Sequence, residues 1–149
     1  MRRTRGYHFF PDGGEEFGSA RLFADPLDME IDICLSVLKH VPDEVQALAT
    51  LGDLYTRRGL YEEGLEIDRK LCLLRPTDST AHYNLACSLA LLEEKVEALD
   101  VLNRAVDLGY ADYKHLKTDS DLDSIRGEKR FALIEKKLLA RAKSARAQQ

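Results

Sequence analysis

Four histidines, three cysteines and several carboxylate clusters are the residues of this chain that could do chemistry. Cys34, Cys72 and Cys87 could act as nucleophiles or metal ligands only with a base or further ligands at short spacing. Their number is odd, no two stand at metal-ligand spacing, and all three fall in apolar runs. They therefore read as small core hydrophobes, not as a disulfide framework or a zinc site. His8, His40, His82 and His115 are scattered, and His82 falls on what reads as a packing face. No serine or cysteine shows elbow or triad spacing. The stretch "PDGGEEFG" has glycines, but no strand precedes it and no Lys-Ser/Thr closes it, so it is no phosphate loop. Glu62-Glu63 and Glu93-Glu94 fall at expected helix starts, where a carboxylate suits the helix dipole. "SDLDS" carries acids without the rest of a calcium loop. The expectation is a chain with no catalytic residue, no metal and no cofactor.

The elements around these residues are legible in the composition and period. With 149 residues, 44% hydrophobic and 32% charged, the chain suits one domain of amphipathic helices. Its apolar runs are too short to cross a membrane, and the basic start, Arg2, Arg3 and Arg5, is followed by no apolar signal core. A cytoplasmic protein is expected. Pro42 and Pro76 lie 34 residues apart. Residues 45–78 and 79–112 align without a gap, matching Leu51 to Leu85, Gly52 to Ala86, Gly64 to Ala98 and Leu65 to Leu99. Within each unit the apolar residues recur three or four apart in two helix-length runs, with Gly59 as a helix stop in the first unit. Asp68 interrupts the apolar pattern where the second unit has Leu102. Small residues at 52, 64, 86 and 98 predict tight helix crossings, since glycine weakens a helix by about 1 kcal/mol relative to alanine.

These motifs resemble the tetratricopeptide repeat, a 34-residue helix–turn–helix unit with W-x2-L-G-x2-Y, A-x3-F and P positions. Leu48-x2-Leu51-Gly52-x2-Tyr55, Gly64, Asp68 and Pro76 occupy them in one unit. His82, Leu85-Ala86, Ala98-x3-Leu102 and Tyr110 occupy them in the next. Asp119, Asp121, Leu122, Ile125, Arg126 and Phe131 resemble the end segment of bacterial arrays of this kind. The resemblance implies an all-α, right-handed solenoid of stacked antiparallel helix pairs, about seven helices in all. Its parts would be an aromatic-rich arm over 1–25, a lone capping helix over 27–40, repeats over 43–78 and 79–112, and a degenerate repeat with a C-terminal cap over 113–143, followed by a basic tail to 149.

The resemblance also implies a function. Family members hold a peptide or partner helix on the concave face of their first helices. Here that face would carry Gln46, Ala49, Asp53 and Arg57, then Thr80, Tyr83, Asn84 and Cys87, then Lys114 and Lys117. Asn84 stands where an amide often bonds ligand backbone, donating and accepting at once. Ala49 and Asp53 replace the Lys and Asn of the clamp for C-terminal carboxylates, so that specificity is not expected. The expected function is a non-catalytic protein-interaction module. Two alternatives stay open: a non-catalytic subunit or secretion-type chaperone, and a binder of nucleic acid or acidic surfaces through the N-terminal arginines and the basic tail. Residues 127–149 carry seven basic and two acidic side chains, but the acidic body, net −5 over 26–78 and −4 over 79–126, disfavours nucleic acid. The arm holds five of the eleven aromatics, which points to docking or self-association rather than a solvated tail.

Overall fold

The computed structural model describes residues 25–147, and the aromatic arm expected over 1–25 lies outside them except for Asp25. That residue starts the first helix: its carboxylate accepts from the Leu27 amide at 2.9 Å, ahead of a proline at the first helical position. The described residues are all helical or connecting: α1 (Pro26–His40), α2 (Val45–Arg58), α3 (Tyr61–Leu74), α4 (Ser79–Leu91), α5 (Lys95–Asp107), α6 (Tyr113–Thr118), a 3₁₀ turn (Ser120–Leu122), α7 (Asp123–Arg126) and α8 (Lys129–Ala147). Successive helices pair antiparallel. The helix pair α2/α3 is the first repeat and α4/α5 the second, with α3 packed against both α2 and α4.

Equivalent positions do equivalent work in the two units. Glu44 and Asp78, 34 residues apart, each cap a first helix by accepting two backbone amides. Gly59 ends α2 with φ 79°. Its equivalent, Glu93, holds the same left-handed turn with φ 62° although it has a side chain. Glu93 thus lies in the connecting turn and not in the first turn of a helix.

The small residues differ in what they permit. Ala86 and Ala98 are fully buried. A Cβ on Gly52 would come within 3.0 Å of Asp68 Oδ1, whereas one on Gly64 would meet its neighbours at an ordinary 3.5 Å or more. The tight crossing expected at both glycines therefore exists only at Gly52.

The main apolar cluster joins α4, α5 and the C-terminal segment, with Leu89, Leu102, Leu116, Leu122 and Ile125 at its centre. A smaller one ties α1 to α2 through Ile31, Cys34, Leu51 and Leu54. None of the three cysteines forms a disulfide; Cys34 and Cys87 are buried and Cys72 is half-buried, as their apolar neighbours imply. After Thr118 the backbone leaves the helix. Arg126 gathers the freed carbonyls, donating to Leu116 O, Lys117 O and Asp119 O. Ser124 Oγ donates to Ala90 O at 2.6 Å, fixing this segment against the end of α4.

Candidate functional site

A cleft of about 200 Å³ opens where α2, α4 and the α6–3₁₀ segment meet, over a floor supplied by α3. From α2 come Gly52, Asp53 and Thr56; from α4 come Tyr83, Asn84, Cys87 and Ser88; from the C-terminal segment come His115, Asp119 and Asp121. Asp68 of α3 lies at the bottom. First helices line the walls because each second helix sits behind them, filling the space between successive units.

The floor is polar. Asp68 is 5% exposed, and Ser88 Oγ donates to its Oδ2 at 2.6 Å. Burial pushes its carboxyl up to about 6, against the opposing pull of that hydrogen bond. On the wall, Asp119 Oδ2 collects three donors. The Tyr83 hydroxyl donates to it at 2.7 Å, the Cys87 thiol donates at 3.6 Å, and His115 Nε2 lies at 3.2 Å. Tyr83 also stacks on Tyr110, with ring centroids 4.1 Å apart and planes within 6°. Burial, above all, raises the Tyr83 hydroxyl and the Cys87 thiol, so both keep their protons and serve as donors. Asp121 is raised by burial, then by Asp119 and by Asp53 across the cleft.

Cys87, Asp119 and Asp121 bring ligand atoms within 4.8 Å of one another, the spacing a metal would need. The thiol, however, is spent on Asp119 and is shifted away from the thiolate form that binds metals. No histidine or cysteine of the cleft has the activated geometry of a nucleophile: its imidazole, His115, leans on a carboxylate that already takes two other donors.

Of the ten residues expected on the concave face, Asp53, Tyr83, Asn84 and Cys87 line the cleft. Asn84 is exposed at its rim, while Tyr83 and Cys87 are buried in its wall. Gln46, Arg57 and Thr80 are exposed outside it, with Arg57 paired to Asp53 at 3.6 Å. Ala49 packs against the Leu48, Leu71 and Ala81 cluster. Lys114 and Lys117 also stand outside. The broken α6 turns His115 to the cleft instead, and Lys117 lies over the Tyr113 ring at 5.7 Å. Asp68, His115, Asp119 and Asp121 were not among the expected site residues. Asp68 had left a signal, the one break in the apolar pattern of the second helix.

No family model matches the chain. Two solved structures described as crystal structures of MamA share its architecture. One has a TM-score of 0.63 at 28% identity, over 79% of this chain and 64% of that one. The other has a TM-score of 0.61 at 26% identity, over 79% and 75%. Both carry tetratricopeptide repeats, and the helix pairs superpose in sequence order. The chain is a tetratricopeptide-repeat protein. A relative with such repeats, a chloroplastic protein of Arabidopsis thaliana, is 35% identical over 80 residues, which is 52% of this chain and 24% of that protein. The chain thus spans about a quarter of that relative and under two thirds of the first MamA chain. Among the described residues, no helix is long and apolar enough to cross a membrane.

Proposed function

We propose that this tetratricopeptide-repeat protein is a non-catalytic interaction module that holds an extended peptide or partner helix along its first helices. One observation carries the reading. The cleft lies where two first helices and the α6–3₁₀ segment converge, and its rim presents the exposed Asn84 amide, which can donate and accept on a ligand backbone. The likeness to MamA and to the chloroplastic relative supports a protein partner of some kind. Binding of phosphate backbones through the C-terminal helix has less support. Arg130 pairs with Asp100, and Lys137 and Arg141 both pair with Asp107, so three of the cations needed are engaged on α5.

The test is to select peptides from a random display library on the full chain. A photo-reactive residue is then placed at position 84 or at 96, Val96 being 70% exposed on the second-helix side. Selected peptides should cross-link from position 84. Equal or stronger cross-linking from position 96 overturns the reading.

A further inference from the structure

The charge of the cleft identifies what its ligand must bring. Four carboxylates, Asp53, Asp68, Asp119 and Asp121, reach it from three separate stretches of chain, and no lysine or arginine lines it among the described residues. Asp53 has an exposed partner in Arg57, and Asp119 is satisfied by Tyr83, Cys87 and His115. The other two are not satisfied. Asp68 keeps only 5% of its surface exposed, and only its Oδ2 has a hydrogen bond; Oδ1 accepts none from any described residue. That oxygen lies over Gly52, whose missing side chain leaves the approach to it open. The half-buried carboxylate of Asp121 accepts no hydrogen bond and forms no ion pair with any described residue. A carboxylate taken out of water without a counter-charge is costly, and a cation that returns the charge recovers much of that cost.

We propose that the cleft is a socket for one cationic side chain of a bound polypeptide, a lysine ammonium or an arginine guanidinium, held by Asp68 at the floor and Asp121 at the wall. The inference deepens the interaction-module reading and rests on it. The size of the cleft favours an organic cation over a metal ion: about 200 Å³ compares with the roughly 15 Å³ that admits one water. The third ligand a metal would need is also withheld, because the Cys87 thiol donates to Asp119. The raised carboxyls of Asp68 and Asp121 have the direction expected of acids enclosed without a counter-ion. His115, the titratable base facing the same space, is taken up by Asp119.

The socket is tested on the full chain by NMR titration with four capped single residues: N-acetyl-lysine and N-acetyl-arginine methylamides, and their uncharged counterparts built on norleucine and citrulline. The cationic pair should give saturable shifts at Gly52, Asn84 and His115, with dissociation constants at least about tenfold below those of the neutral pair. Asp68→Asn keeps an acceptor for Ser88, and Asp121→Asn alters a half-buried side chain. Each should weaken the cationic ligands about tenfold and leave the neutral ones unchanged. Equal binding of charged and neutral compounds, shifts located elsewhere, or no saturable binding would each overturn the proposal. So would Zn²⁺ alone saturating the same resonances and excluding the cations. If library peptides still cross-link from position 84 without favouring lysine or arginine, the socket fails while the interaction-module reading stands.

Discussion

Replacing Asp68 by asparagine should stabilise the protein at neutral pH, and the gain should vanish in acid. The carboxyl is displaced from 3.8 to about 6, mainly by burial. At about 1.4 kcal/mol per pKa unit, charging it in the fold costs roughly 3 kcal/mol. Because the folded-state value lies above the unfolded one, the native chain holds the extra proton between these two values. The stability due to neutral Asp68 is therefore fully present below pH 3.8 and lost as the pH rises through about 6. Asparagine has nearly the same volume, never ionises, and can still accept from Ser88. Its advantage should be about 1–3 kcal/mol at pH 7.5 and close to zero at pH 4. Urea unfolding of both proteins at the two pH values measures this. The difference between variant and parent cancels the titration of every other carboxylate, and unchanged m-values would show that both unfold the same surface. A variant less stable than the parent at pH 7.5, or a difference that does not vary with pH, would refute a buried, ionised Asp68.

Three further outcomes follow from local geometry. Glu93→Gly should stabilise by about 1 kcal/mol in thermal or urea unfolding, because φ 62° is strained for a residue with a side chain. Asp78→Ala should destabilise by about 1 kcal/mol through loss of the α4 cap, whereas Glu94→Ala, whose side chain caps nothing, should change little. In the native protein Cys34, Cys72 and Cys87 should react with a thiol reagent at pH 8 far more slowly than in urea. Burial raises all three thiols, Cys72 to about 11, and a rapid native reaction would contradict that assignment.

The helices and their pairing were legible because the repeat writes the same physics twice. Leu51 and Leu85, Gly52 and Ala86, Gly64 and Ala98 recur at one offset, and a periodic apolar face predicts a buried helix stripe whatever lies beyond it. What was hidden depends on contacts between segments far apart in sequence. Position 93 shows no turn signal, because glutamate holds by context the conformation that Gly59 holds by chemistry. Asp119 and Asp121 fit an end-of-array pattern and so read as structural. Only the turn after Thr118 shows that they also face Tyr83 and Cys87, more than thirty residues earlier. Lys114 and Lys117 were placed on the inner face by extending the helical pattern of the first two units, but the helix there ends after six residues. Asp68 was visible as a discord, yet nothing in its neighbours along the chain names Ser88 as its partner.

The turn held by Arg126 makes the site a property of the end of the array. A solenoid of this kind can ordinarily be lengthened by inserting another copy of its unit, since each copy meets only its neighbours. Here an extra copy between α5 and α6 would carry Asp119 and Asp121 a full step away from Asp68 and Asp53, dividing the carboxylates between two unrelated grooves. Evolution or engineering could extend this molecule at its N-terminal side, before α1, without disturbing the cleft, but growth at the other side would dissolve it.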